Sequence, residues 1–316
     1  MLDDRRIKSI SPGKSLGYYS VLGLEKEPFA TSPDPEFFYH TREHDLALTN
    51  LLIELRLRRG LSVIFGDVGT GKTTLSRKLL HELNKRGDMI FHMILDPSFT
   101  GQDQFLISLV RNFNINLPKD CDMQHLDILE LRDTIENFLL EKTLKENRTI
   151  ILLIDEAQKL DLTTLETLRI LLNFETNDQK LIQLVLLGQL ELYSKVVHMN
   201  NFIDRISFKF TLNPLDVKET GDLIRFRIKK AGYKLERELF SQDAISEIYN
   251  YTKGYPRKIN MLCYKCLKEI ILQNCFMVDQ KIVQEVLLKE QQWLAAAQSS
   301  TENNFNIKEI KLAQNN

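Results

Sequence analysis

Cysteine is sparse in this chain, four among 316 residues, and its placement excludes a disulfide-built scaffold. Cys121, Cys263, Cys266 and Cys275 make no secreted framework in a chain of this size. Cys263 and Cys266 form a C-x-x-C, but no second pair follows. They stand three apart in the helical pattern from Asn260 to Leu272, so one face buries both and core packing outweighs metal or redox use. An excess of either charge is also missing: 42 Lys and Arg against 43 Asp and Glu leave a formal net charge of −1. That balance argues against a strongly basic nucleic-acid binder and leaves room only for a local patch. No stretch of eighteen apolar residues occurs, so no transmembrane segment is expected. The opening Met1-Leu2-Asp3-Asp4-Arg5-Arg6 is too charged for a secretory leader, and the expected compartment is a reducing cytoplasm.

What is present is ordinary for a globular protein, 27% charged and 43% hydrophobic, and long enough for two domains. Residues 1–16 are polar, with Ser11-Pro12-Gly13 as breakers, and read as a flexible N-terminal arm. From Tyr18 to Tyr39 aromatics and prolines crowd together: Pro28-Phe29, Pro33-Asp34-Pro35, Phe37-Phe38-Tyr39. An irregular segment with so many large rings must pack on something; the domain core and a nucleotide base are the two surfaces considered. Arg42 to Arg59 reads as a helix stopped by Gly60, its terminal arginines suited to the helix dipole.

The most informative stretch is Gly66-Asp67-Val68-Gly69-Thr70-Gly71-Lys72-Thr73, followed by Thr74. It fits G-x-x-x-x-G-K-[ST], and its flanks supply the context the pattern needs. Leu61 to Phe65 is an apolar, β-branched strand pattern; Thr74 to Leu83 repeats apolar residues at helical spacing. In a strand, glycine loop and helix, main-chain N–H groups converge on a phosphate. Gly66, Gly69 and Gly71 let the chain close round the anion, Lys72 reaches β- and γ-phosphate oxygens, and the Thr73 hydroxyl ligates Mg²⁺.

A second motif, Ile150-Ile151-Leu152-Leu153-Ile154-Asp155-Glu156, is a doubly buried strand that delivers two carboxylates at its tip. Carboxylates are expensive there unless a cation meets them. Asp155 is the candidate Mg²⁺ holder through coordinated water, and Glu156 the group that polarises an attacking water. That second acid separates a hydrolase from a nucleotide switch, and the absence of N-K-x-D favours ATP over GTP. The spacing of the two motifs leaves room for a strand between theirs. Leu181 to Leu187 is a further buried strand, ending at Gly188-Gln189, where the Gln189 amide is placed to sense the γ-phosphate or the water.

Helical patterns are expected near Gln102 to Asn112, Met123 to Lys145 and Leu160 to Phe174. After Leu215 the chain turns helical, near Val217 to Ala231, Ser241 to Thr252, Pro256 to Gln273 and Asp279 to Ala297, with Asp216 and Glu219 as a capping box. Arg225, Arg227, Lys229 and Lys230 read as a solvated face, and His92 and His125 as packing or surface residues. The tail from Gln298 is polar. The expected layout is an N-terminal arm over 1–16, an α/β nucleotide-binding domain over 17–214, an all-α lid over 215–297 and a tail over 298–316.

Taken together, these residues resemble an AAA+ ATPase of the ExeA type, the general secretion pathway component A group, which is similar in its ATPase module to transposition ATPases of the TniB and MuB kind. The resemblance runs from about Leu22 to about Cys263. It is carried by Leu22-Gly23-Leu24 to Phe29, Pro33 to Tyr39 with His44, the phosphate loop, Leu153-Ile154-Asp155-Glu156-Ala157-Gln158 with Leu165 to Arg169, Gly188-Gln189, and Gly254-Tyr255-Pro256-Arg257-Lys258-Ile259-Asn260. Leu190 departs from the family's usual proline. The resemblance implies a P-loop AAA+ fold, a central parallel sheet flanked by helices with a helical lid, ATP and Mg²⁺ as ligands, and sites completed by a second copy in a homo-oligomer. Arg257 would contact the γ-phosphate from the same chain and Arg205 that of a neighbour. It further implies remodelling of a protein client, in a secretion or pilus-type envelope machine, from the cytoplasm or the inner face of the membrane. The alternative is a DNA-associated ATPase regulating transposition, which near-neutral charge does not favour.

Overall fold

The computed structural model describes residues 17–30, 35–37, 39–117, 126–293, 295 and 296. The chain divides into two compact units, residues 40–213 and residues 1–39 with 214–316.

The first unit is built on a five-stranded sheet, every neighbouring pair parallel: β1 (Leu61–Gly66), β2 (Met89–Ile94), β3 (Thr149–Ile154), β4 (Ile182–Gly188) and β5 (Ile206–Leu212), in the order β2-β3-β4-β1-β5. β4, which follows both motifs in the sequence, lies between the two motif strands β1 and β3, whereas β2, the strand that fills the interval between the motifs, lies at the edge of the sheet beside β3. Parallel neighbours require crossovers, and α1 (Arg42–Arg56), α2 (Lys72–Asn84), α3 (Gln102–Asn112), α4 (Ile128–Leu140), α5 (Leu162–Leu171), α6 (Leu190–Val196) and α7 (Asn200–Ile203) flank the sheet. A turn of π-helix, Glu141–Lys145, continues α4.

Side chains alternate across a strand, so one sequence run feeds two cores. Val63, Phe65, Ile150, Leu152 and Ile154 face Phe105, Leu106, Leu131, Ile135, Leu165 and Leu168 of α3, α4 and α5. Ile64, Ile151, Leu153, Val185 and Leu187 face Leu51, Leu55, Leu75 and Leu79 of α1 and α2. β1, β3 and β4 are buried along their full length, which explains their mainly apolar sequence; the buried Gln183 side chain in β4 is satisfied by the Gly60 N–H and the Lys180 carbonyl. Each such side chain contributes roughly 1.5–3 kcal/mol on leaving water.

The second unit packs α8 (Val217–Lys230), α9 (Gln242–Thr252), α10 (Pro256–Leu272) and a last helix, α11, over 280–293. The capping box at Asp216 and Glu219 is formed. Leu22, Leu24, Phe29 and Phe37 are buried against Ile224, Ile245, Ile259 and Leu262 in one core. Phe29 meets Phe240 edge-on at 6.0 Å and Tyr18 meets Tyr264 at 5.4 Å. The aromatic segment thus anchors to the C-terminal helices, and these rings are spent on a helical core. The chain passes from one compact unit to the other between residues 39 and 40, whereas the sequence reading began the α/β domain at 17. Among the described residues, Phe29 and Phe37 belong to the core of the helical group. Arg227 lies over the Phe37 ring and donates to the Pro28 carbonyl at 3.0 Å, a packing role where a solvated face was expected.

Cys263 and Cys266 are fully buried in this core. Burial pushes the Cys266 thiol up to about 12, so both behave as small hydrophobes. Cys121, His125 and the loop around Pro118 lie outside the described residues.

Candidate functional site

The site grows from the carboxyl ends of β1, β3 and β4, where open parallel sheets place ligands. β1 ends at Gly66. An added Cβ there would stand 2.7 Å from Thr70 Oγ1 and 3.0 Å from the Leu212 carbonyl, so only glycine fits. The loop closes on itself as Thr70 Oγ1 donates to the Asp67 carbonyl at 2.9 Å. Val68 is exposed at the tip, and Gly69 and Gly71 take left-handed φ values of 87° and 103°. Gly71 is the N-cap of α2, and the N–H groups of Thr74 and Leu75 return to its carbonyl. Among the described residues, no acceptor takes the N–H of Gly69, Gly71, Lys72 or Thr73. Four orphan donors at a helix N-terminus make a concave anion seat.

Lys72 opens α2 and is only 6% exposed. Its Nζ donates to the carbonyls of Gly66 at 2.6 Å and Asp67 at 3.0 Å. Burial pushes its ammonium below the ordinary lysine range, and Glu156 and Asp155 oppose that shift. Thr73 Oγ1 donates to Asp155 Oδ2 at 2.8 Å. Asp155, just past β3, is 2% exposed; burial raises its carboxyl, while the Thr73 hydroxyl and the Glu156 N–H hold it down. Asp155 Oδ1 accepts that N–H at 2.9 Å.

Glu156 sits in the left-handed region, φ 51° and ψ 35°. Its Oε2 accepts from Gln158 Nε2 at 2.6 Å and more distantly from Gln189 Nε2 at 3.5 Å. Gln189 is the N-cap of α6, and its N–H donates to Gln158 Oε1 at 3.0 Å. Leu190 follows as the first residue of that helix, a position proline suits. The structure thus brings together the phosphate loop, Lys72, Thr73, Asp155, Glu156 and Gln189. It adds Gln158, whose role sequence alone did not reveal.

His44 in α1 lies under the loop: an added Cβ on Gly71 would stand 2.7 Å from its Nε2. Its Nδ1 and Thr41 Oγ1 are 2.6 Å apart. Burial pushes the imidazole below its ordinary value, opposed by the Thr70 backbone and Glu43.

Within its own unit Arg205 is not brought to the phosphate loop. Arg205 immediately precedes β5, at the amino end of the sheet, near Glu166 and Glu175, whose carboxyls are held down chiefly by their hydrogen bonds to Arg169 and Lys180 and only lastly by the Arg205 charge. The register pairs Leu61 with Ile206, so the six residues of β1 separate Arg205 from the phosphate loop, on the order of 15–20 Å. Arg257 belongs to the helical unit, exposed at the second position of α10 behind Pro256. The link before it demands glycine: an added Cβ on Gly254 would lie 1.9 Å from the Leu215 carbonyl.

A glycine loop that opens a helix, beside an acidic pair on a strand two places away in a β2-β3-β4-β1-β5 sheet, defines a P-loop protein of the AAA+ class. A family model describing an AAA domain matches residues 55–196. The chain is 34% identical over 252 residues to general secretion pathway protein A of Aeromonas hydrophila, a match covering 79% of this chain and 44% of that protein. It is 27% identical to an uncharacterized HTH-type transcriptional regulator of Methanocaldococcus jannaschii, over 84% of this chain and 73% of the other. Its fold is similar to the ORC2 protein of Aeropyrum pernix, with a TM-score of 0.59, 16% identity, and 84% and 71% of the two chains covered. The chain has the AAA+ P-loop fold, and its sequence is similar to general secretion pathway protein A. It spans less than half the length of that relative.

Proposed function

We propose that this chain hydrolyses ATP and uses the cycle to assemble or remodel a partner complex. The observation that carries the reading is the 2.8 Å bond between the Thr73 hydroxyl and the Asp155 carboxylate, with Glu156 fixed beside it. Two adjacent hard oxygen donors at the mouth of an anion seat fit Mg²⁺, which binds few protein ligands and several waters. Bound there with ATP, the ion would neutralise charge on the β- and γ-phosphate oxygens.

The chain's own residues supply the rest. The N–H groups of Gly69, Gly71, Lys72 and Thr73 and the Lys72 ammonium hold the phosphates. Glu156 takes a proton from water as the water oxygen bonds to the γ-phosphorus; the bond to the bridging oxygen breaks and its electron pair leaves with ADP. Gln189 orients that water. Arg257 stabilises the γ-phosphate from the lid, and Arg205, held at the far end of its own sheet, serves a second copy of the chain. Self-association is therefore part of the reading.

For the client, the 34% identity to general secretion pathway protein A supports an envelope machine of secretion or pilus type, served from the cytoplasm or the inner membrane face. Among the described residues no helix is long and apolar enough to cross a membrane. A steady-state ATPase assay on the purified chain, with Lys72→Ala and Glu156→Gln beside it, tests the chemistry. Salt-dependent binding to duplex DNA with and without ATP tests the alternative of a DNA-associated regulator, because phosphate contacts impose a steep salt slope.

A further inference from the structure

We infer that Gln158 is a positioning residue: its side-chain amide ties the Glu156 carboxylate to the end of β4, so that the water-polarising group is aimed from the sensor strand. The inference deepens the ATPase reading and rests on it.

The geometry begins with a backbone that glutamate does not favour. A non-glycine residue in the left-handed region costs on the order of 1 kcal/mol and persists only where its surroundings over-determine it. Around Glu156 they do. Its N–H is held by Asp155 Oδ1 at 2.9 Å, and its carbonyl accepts the Lys159 N–H at 2.9 Å. The twist turns the side chain toward Gln158, whose amide uses both ends: Nε2 on Glu156 Oε2 at 2.6 Å, and Oε1 on the Gln189 N–H at 3.0 Å.

Gln158 is itself fixed. Lys195 Nζ, from α6, donates to the Gln158 carbonyl at 2.5 Å and to the Leu160 carbonyl at 2.8 Å. At the end of β4, a Cβ added to Gly188 would meet Leu192 Cδ2 at 2.7 Å and lie 3.4 Å from Gln158 N, so a side chain there would crowd α6 and press on the Gln158 turn. One carboxylate oxygen of Glu156 thus takes amide N–H groups, while Oε1 takes none among the described residues and is left to accept from water. Without the Gln158 amide the carboxylate could rotate about its last torsion. Misplacement by about 1 Å costs on the order of 100-fold in rate.

The test compares Gln158→Met, which keeps the length and loses both hydrogen bonds, with Gln158→Asn, which keeps the amide one methylene short. Both are assayed for ATPase activity and for binding of a fluorescent ATP analogue. The expected result is a 10- to 100-fold fall in kcat with KM and analogue affinity within twofold of wild type. In Gln189→Ala, which loses the sensor amide, a further Gln158→Met change should cost less than it does alone. A normal or raised kcat in both Gln158 variants, or a rise in KM with kcat kept, overturns the inference. Glu156→Gln in the same assay separates the two levels: equal rates for it and wild type remove the underlying reading, whereas a dead Glu156→Gln beside a normal Gln158→Met removes the inference alone.

Discussion

The hydroxyl of Thr73 and the carboxylate of Asp155 meet at 2.8 Å although 82 residues separate them in the chain. One ends a glycine loop and the other a buried strand two places along the sheet, so the contact follows from register. A nearly buried carboxylate raised by desolvation is an unfavourable group to keep, and the neighbouring Lys72 and Thr73 account for its retention.

Lys72→Ala removes the buried ammonium that donates into the loop carbonyls. The expected outcome is loss of nucleotide binding, or of turnover by at least about 100-fold, with the fold kept. Isothermal titration with ATP and Mg²⁺, alongside circular dichroism, checks it. Glu156→Gln should behave differently, holding ATP with near-normal affinity while kcat falls about 10²- to 10⁴-fold. Full turnover by purified Glu156→Gln would remove Glu156 from the chemistry.

His44 predicts a pH dependence of stability. Its folded-state affinity for a proton is lowered by burial, so the unfolded chain binds more protons as pH falls through about 6.5. Stability is therefore full above that value and declines below it, by up to about 1.4 kcal/mol per pH unit for one group. His92, also lowered by burial, adds in the same direction, while Asp155, raised by burial, opposes both at lower pH. The charges around His44 are Glu43, Asp45 and His40. Urea unfolding between pH 5 and 8 should show this slope in wild type and a shallower one in His44→Gln; an unchanged slope would place the titration elsewhere.

Much of the site was readable because its signals are local. Gly66, Gly69, Gly71, Lys72 and Thr73 lie within eight consecutive positions, and Asp155 and Glu156 end an unbroken apolar run that only a central strand explains. The interval between the motifs does hold a strand, β2, but it pairs at the edge beside β3, and the place between β1 and β3 goes to β4 from later in the chain. What escaped depends on register between distant segments. Arg58, read as a dipole-matched helix end, takes φ 52° and bonds Thr149, Gln179 and Asn147, tying α1 to the starts of β3 and β4. His44 lies under Gly71, and Gln158 spans two strand tips. No periodicity marks such residues, since each is defined by a partner that only folding supplies.

Gly254→Ala tests the helical unit separately. Gly254 holds φ 77°, its carbonyl accepts the Leu215 N–H at 2.9 Å, and a methyl would overlap the Leu215 carbonyl. Neither atom can yield without breaking the turn that leads into α10. The expected loss is about 2–4 kcal/mol, read as a lowered denaturant midpoint. A change below about 0.5 kcal/mol would show that the turn relaxes.

Arg205 offers the sharpest test of assembly, because its position excludes its own site. It stands before β5 at the amino end of the sheet, the length of β1 away from the phosphate loop. If it serves a neighbour, Arg205→Ala lacks the arginine it lends but keeps a sound Glu156, and Glu156→Gln has the reverse defect. Each alone should lose at least about 100-fold in turnover. Mixed in equal amounts they form some junctions that pair an intact Glu156 with an intact Arg205, so activity should return at least about tenfold above either alone and rise with protein concentration. No recovery on mixing, or a wild-type rate for Arg205→Ala alone, would confine Arg205 to its Glu166 and Glu175 neighbourhood.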